Sequence, residues 1–308
     1  MKHAVLLGDP AFFRIKGGRN YYTRNRWGIR KKVDRERAVE QWKAFKAALE
    51  RLGALVFTVG PHEDYPGMVF PANAGFLHPK YAPVPVSKKK FYLSRLITHR
   101  EGESALYCNF FRSLDVKLEE FKHLFEGEAD FFPCGDGYIF TYGDIVPMGF
   151  VPAAGWPPYR YRFSHRSDVR NTERLRKIVT PSPVWCVKLA DPRYYHGDTA
   201  LFAFGKNREY LLAYLDALEP ASADYLKRQL GARLIPLSRE DAEAFVANSF
   251  QLDTPTGPHL LMPAGSSKAV LETVTKLGFP YTLVDVSEFF TKGGGSIKCL
   301  LCDLGPVG

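Results

Sequence analysis

The chain repeats one local theme: a short apolar strand, a loop rich in Gly or Pro, an amphipathic helix, then another strand, roughly every fifty to sixty residues. This recurrence limits the fold more than composition does, because strand–helix–strand units must share sheets whose faces the helices cover. The segment 33–52 is the clearest helix. Asp34 stands at the N-cap position, Ala38, Trp42, Phe45 and Leu49 recur at helical spacing, and Gly53 follows the end. Residues 54–59 read as a strand closed by Gly60-Pro61. The same reasoning predicts helices at 167–178, 207–218, 238–245 and 266–277. It predicts strands near 68–76, 105–110, 138–142, 184–189, 200–204, 232–235, 259–262, 281–284 and 297–303. No Ser/Gly linker or charge block interrupts the alternation, so residues 1–308 read as one α/β domain. Pro-rich pieces at 82–86, 152–158 and 181–183 read as ordered loops. No G-x-G-x-x-G motif occurs, and a dinucleotide site is not supported.

With 45% hydrophobic and 24% charged residues, the chain has ample material for a core. No apolar run reaches the ~18 residues of a membrane span. The opening Met1–Pro10 reads as a buried strand and not as a signal peptide. Five cysteines, at 108, 134, 186, 299 and 302, are an odd and sparse set that argues for a reducing cytoplasm. The formal charge is +9, and ten Lys or Arg fall between Arg14 and Arg37 against only Asp34 and Glu36. An anionic partner would use such a stretch; so would a solvated loop leading into a helix. The second reading is preferred, because Tyr21, Tyr22 and Trp27 do not repeat as an RNA-binding motif would. The expectation is therefore no nucleic-acid and no membrane partner.

Three segments carry chemistry. In Gly293-Gly294-Gly295-Ser296-Ile297-Lys298-Cys299, three glycines free the backbone for positive φ and close approach, so Cys299 can stand at a pocket rim. Seen alone, a buried inert thiol is the better reading. In Tyr195-His196-Gly197-Asp198-Thr199, residues two apart on a strand would share one face, putting an imidazole beside a carboxylate. A turn capped by Asp198 would look the same. In Phe125-Glu126-Gly127-Glu128-Ala129-Asp130, Glu126 and Asp130 suit an inward-facing loop, or equally a solvated turn. Asn73, within the apolar stretch Met68–Phe76, needs a buried partner or a ligand.

Taken in order, these segments resemble the guanidino-group-modifying superfamily of arginine deiminases, dimethylargininases and amidinotransferases. Gly-Gly-Gly-Ser-Ile-Lys-Cys resembles the nucleophile motif, Tyr-Tyr-His-Gly-Asp-Thr the histidine motif, Phe-Glu-Gly-Glu-Ala-Asp the acidic loop, and Val-Phe-Pro-Ala-Asn-Ala-Gly-Phe the first active-site strand. Asn25-Arg26-Trp27 and Gln41-Trp42 resemble the bacterial dimethylargininase-like branch, so the similarity runs from about residue 25 to 304. The resemblance implies a pentein fold, a five-bladed α/β propeller with pseudo-fivefold symmetry and a central pocket for a small guanidino substrate. It implies Cys299 as nucleophile, His196 as acid/base, and Asp130 and Asp198 as carboxylates that grip the guanidinium. Arg166 would receive a substrate carboxylate, and Glu126 would stand beside or behind the substrate. No metal or cofactor is implied.

Asn73 departs from the dimethylargininase pattern, which places an acid there, and resembles arginine dihydrolases instead. Lys298 precedes Cys299 where relatives carry His or Arg. Cys302 completes a C-x-x-C without a second ligand pair and reads as a strand residue. The reaction expected is cysteine-dependent hydrolysis of a guanidino C–N bond through a thiouronium-like intermediate. Amidino transfer to an amine would use the same residues, and a non-catalytic propeller would lack them. Carboxylates are expected to cluster around Cys299 despite the basic exterior. A homodimer is compatible with the sequence.

Overall fold

The computed structural model describes residues 2–82 and 84–307; residue 83, within the Pro-rich piece at 82–86, lies outside the described residues. The first unit comprises β1 (Lys2–Gly8), α1 (Arg35–Arg51) and β2 (Leu55–Val59). The second comprises β3 (Gly75–His78), β4 (Lys90–Leu93), α2 (Glu103–Ser113) and β5 (Lys117–Glu120). The third has β6 (Phe131–Cys134), β7 (Gly137–Tyr142), an inserted hairpin of β8 (Gly149–Pro152) and β9 (Tyr159–Arg162), α3 (Thr172–Val179) and β10 (Val184–Lys188). The fourth has β11 (Leu201–Phe204), β12 (Tyr210–Ala213), α4 (Pro220–Leu230) and β13 (Leu234–Pro236). After a short α5 (Arg239–Glu243) come β14 (Phe250–Thr254), β15 (Gly257–Pro263), α6 (Lys268–Lys276) and β16 (Tyr281–Val284) of the fifth. Then α7 (Ser287–Gly293) leads to β17 (Leu301–Val307), which pairs antiparallel with β1 and completes the first unit.

Each unit is a three-stranded sheet of one kind. Its first strand runs antiparallel to the middle strand, and a helical crossover brings the third strand in parallel. Each unit packs on the next in sequence, and the fifth packs on the first, so the five close into a ring. This is the five-bladed α/β propeller that the resemblance implied.

Local sequence explains most of the elements. The Asp34 side chain caps α1 by accepting from the Arg37 N–H. Fully buried Phe45 and Leu49 fix the inward face of α1, each worth roughly 1.5–3 kcal/mol. Two predictions fail for opposite reasons. Residues 105–110, expected as a strand, lie in α2, where Glu103, Tyr107 and Phe111 are buried four residues apart. Residues 207–218, expected as a helix, turn at Arg208 (φ 57°) into β12, whose consecutive Leu211, Leu212 and Ala213 are all buried. A run apolar on every side has no period to read. Of the 68–76 region only Gly75 and Phe76 are extended, opening β3, and 297–300 form a turn before β17. The sequence reading also lacked β4, β5, β8, β9, β14, α4 and α7.

The ring positions the site through its turns. Short 3-10 turns at Pro71–Ala74, Gly127–Ala129, Gly197–Thr199 and Val246–Asn248 precede β3, β6, β11 and β14, and the 294–300 loop precedes β17. They converge because a Cβ on Gly127 (φ +62°) would sit 2.6 Å from the Gly75 carbonyl oxygen.

Candidate active site

Cys299 lies on the turn before β17 and is 3% exposed. The preceding glycines have separate tasks. Gly294 ends α7 in the left-handed conformation (φ 81°), and a Cβ on Gly295 would lie 2.7 Å from Cys299 Cβ. One buried amide sets the loop. Asn248 Oδ1 accepts from the Ser296 N–H (2.9 Å) and the Cys299 N–H (3.1 Å), while Nδ2 donates to Asp198 O (3.0 Å) and Cys299 Sγ (3.2 Å). The thiol faces Asp198 Oδ2 at 3.4 Å. Burial, then the Asp198 charge, push the Cys299 thiol well above its ordinary range. Burial also lifts Asp198 to about 6, against the pull of His196 and Lys298.

His196 stands between two acids. Nδ1 donates to Asp130 Oδ2 (2.9 Å), and Nε2 lies 3.1 Å from Glu126 Oε2. Burial alone would depress the imidazole; Asp130 and Glu126 outweigh it and raise it to about 9. At neutral pH the ring is an imidazolium. Burial would raise Glu126, but the His196 contact and the Arg166 and Arg100 charges bring it to about 2.

Asp130 is saturated. Oδ1 accepts from Thr141 Oγ1 (2.6 Å) and the Gly197 N–H (2.9 Å), and Oδ2 accepts from Ser167 Oγ (2.7 Å) as well as His196. This corrects the expected grip on a guanidinium: Asp130 sits behind the imidazole with its acceptors in use. Glu126 Oε1 and Asp198 Oδ1, by contrast, are buried without a partner. Nor do His196 and Asp198 share a strand; His196 precedes the 3-10 turn that contains Asp198.

Two arginines behave differently. Arg100 donates to both Glu103 oxygens (3.0 and 2.7 Å) and, through Nη1, to Asn73 Oδ1 (2.9 Å). Because a guanidinium only donates, the Asn73 oxygen must face Arg100, leaving its NH2 3.3 Å from His196 Nε2. Arg166, 3% exposed, donates one bond from Nη2 to Arg19 O (2.7 Å). Its Nε and Nη1 have no partner.

Cys299, His196, Glu126, Asn73 and Arg166 line one open cavity. The expected clustering of carboxylates does not hold for the cavity as a whole: Arg14, Lys16, Arg19, Arg100 and Arg166 line it against Asp64, Glu103 and Glu126. Asp198 lies across the sulfur and lines a second cavity of about 480 Å³ with Lys80, Glu128, Lys298 and Asp303. Among the described residues, no group of His, Cys, Asp and Glu is arranged to hold a metal ion.

No protein-family model matches the chain. An uncharacterized protein of Caenorhabditis elegans is 29% identical over 307 residues, covering 97% of this chain and 93% of that protein. The N(G),N(G)-dimethylarginine dimethylaminohydrolase of Mycobacterium tuberculosis is 28% identical over 304 residues, covering 97% and 85%. The bifunctional arginine dihydrolase/ornithine cyclodeaminase ArgZ of Synechocystis is 27% identical over 299 residues, covering 96% of this chain and 37% of ArgZ. The crystal structure of the ArgZ N-terminal domain superimposes with a TM-score of 0.80 at 23% identity over 99% of both chains. Over nearly its whole length the chain is similar to a dimethylarginine dimethylaminohydrolase and to the arginine dihydrolase part of ArgZ.

In this pentein fold, the structure brings together Cys299, His196, Asp130, Asp198, Glu126, Asn73 and Arg166, every site residue read from sequence. Reading the sequence missed Asn248, Thr141, Ser167 and Arg100. Asn248 had a signal: Val246-Ala247-Asn248-Ser249 precedes an apolar strand just as Pro71-Ala72-Asn73-Ala74 does. Thr141 and Ser167 act only by hydrogen-bonding Asp130, and nothing local marks them. Lys298 is paired with Glu128, and Cys302 is a fully buried strand residue opposite Leu6.

Proposed function

We propose that this protein hydrolyses guanidino C–N bonds of arginine-like amino acids through a covalent adduct on Cys299, in the manner of an arginine dihydrolase. The observation that carries the reading is the pair of unpartnered carboxylate oxygens, Glu126 Oε1 and Asp198 Oδ1, on residues that flank the Cys299–His196 pair. A buried acceptor without a donor costs about 1–3 kcal/mol. A planar guanidinium, with its fork of N–H groups, supplies donors to both sides at once. The unpartnered Nε and Nη1 of Arg166 suit an α-carboxylate at the other end of the ligand.

The chain's own groups can carry the chemistry. The thiol is neutral in the empty site, and an arriving guanidinium supplies the positive charge that favours its ionisation. Sγ bonds the guanidinium carbon as the thiol proton passes to Asp198 Oδ2. The C–N bond breaks as His196 Nε2 hands its proton to the leaving nitrogen, which departs as ammonia. The neutral imidazole then takes a proton from water as the water oxygen bonds the same carbon. The C–S bond breaks as the new hydroxyl releases its proton to solvent and becomes the carbonyl, and sulfur regains its proton from Asp198.

Asn73 supports removal of both nitrogens. A ureido product carries a carbonyl oxygen where the guanidinium carried N–H, and the Asn73 NH2 can donate to it where a carboxylate could only repel it. The relatives include both a dimethylarginine dimethylaminohydrolase and an arginine dihydrolase. The deciding experiment is a product assay with arginine, dimethylarginine, citrulline and agmatine, with and without glycine as acceptor. Ornithine and two ammonia per arginine are expected. Accumulation of citrulline alone, preference for dimethylarginine, or an amidino product formed only with glycine would each refute the dihydrolase reading.

A further inference from the structure

The basic stretch at 14–37, beyond the Arg14, Lys16 and Arg19 that line the active-site cavity, forms one surface with the β8–β9 hairpin. Segments 10–33 and 145–163 together contain ten Lys or Arg and no Asp or Glu, more than the whole formal excess of +9. Arg24, Arg26, Lys31 and Arg160 line a shared surface concavity with Phe150 and Tyr159, which places the two segments side by side. Seven of the ten exposed large hydrophobic residues among the described residues lie in these two segments. Trp156, at the hairpin tip, is 84% exposed, and Phe150 is 55% exposed. The run 145–158 carries no charged residue at all.

We propose that this face is a docking surface for an anionic phospholipid membrane, with the hairpin tip entering the interface and the cations meeting headgroups. Trp and Tyr favour the interfacial zone, and peripheral binding adds buried apolar area to attraction by nearby Lys and Arg. A second copy fits poorly: a face without acids would meet its own cations, and Pro152, Pro157 and Pro158 blunt the hairpin against strand pairing. Single-stranded nucleic acid, which needs cations along the groove where bases stack, could use the concavity but would leave the hairpin tip unused. Here the most exposed aromatic projects from an uncharged tip, and Arg24 is committed to the Gly18 and Gly28 carbonyls. The expectation of no membrane partner rested on the lack of a spanning segment and on reading the basic stretch as a solvated loop. No helix of the described residues is long and apolar enough to cross a membrane, interfacial docking does not need one, and the hairpin beside the stretch replaces the second ground.

The proposal is independent of the chemistry at Cys299. Co-sedimentation of the full chain with phosphatidylcholine vesicles, with and without phosphatidylglycerol, tests it. Binding is expected only with phosphatidylglycerol, weakened by salt, with a blue shift of tryptophan fluorescence. Trp156→Ser combined with Phe150→Ser should lower partitioning about tenfold or more, and Arg160→Glu with Arg162→Glu should do likewise, while turnover in solution is unchanged. The proposal is overturned by absence of binding to anionic vesicles or by equal binding of the tip variant. It is also overturned by a dimer in sedimentation equilibrium that the tip variant dissolves, or by a single-stranded oligonucleotide that binds this face in preference to vesicles.

Discussion

The two cavities on either side of Cys299 are both lined by buried charges, yet they are finished differently. On the Glu128 side, Glu128, Lys80, Lys298 and Asp303 are all paired. Glu128 Oε1 accepts from Lys80, and Oε2 accepts from Lys298 and from the Asp303 N–H; Asp303 in turn takes His3 at 2.7 Å. On the His196 side, Glu126 and Arg166 keep buried atoms idle, as Asp198 does beside the sulfur. Charges of the first kind hold strands β1, β3 and β17 together at the cost of desolvation. Groups of the second kind are held ready for a ligand that completes them. Burial and charge do not separate structure from function in this ring; residual bonding capacity does.

The sharpest break of that contrast is Cys299→Ala, which should lower turnover by more than about four orders of magnitude with an unchanged circular dichroism spectrum. His196→Asn should cost about 10²–10⁴ in kcat. Glu128→Gln tests the other side. Leaving Lys80 and Lys298 short of their counter-charge should lower unfolding free energy by about 3–5 kcal/mol in urea titrations, with kcat per folded molecule within a few-fold of the parent. A large kcat loss with intact stability would erase the distinction. Arg166→Ala should raise KM for arginine about 10–100-fold while sparing agmatine, which lacks the carboxylate; equal effects on both would remove Arg166 from the ligand. The smallest effect is the pH profile. Asp198 must be ionised and His196 protonated, so kcat/KM should fall below about 6 and above about 9. His196 is raised on folding from 6.5, so its contribution to stability is complete below that value and lost as pH climbs through about 9.

How much was legible follows from what each residue does. The helix at 33–52 announced itself because half of its surface is solvated, giving cap, period and stop together. The strand at 210–213 did not, because all-round burial removes the alternation that marks a strand. Cys299, His196 and Asp198 stood out as reactive types in glycine-rich surroundings, and the family resemblance ordered them. The division of labour between Asp130 and Glu126 could not be read from their shared loop, since it depends on Thr141 and Ser167 arriving from β7 and the turn before α3. Those partners carry no local signature, and only three-dimensional proximity reveals that one acid is already occupied.

The pairing of β17 with β1 joins two duties in a single segment. Imidazole and acids precede the sulfur along the chain, and the sulfur stands on the turn into the strand that fastens blade one. Undoing that seam therefore takes the nucleophile away from its partners. Assembly and the onset of reactivity become the same event.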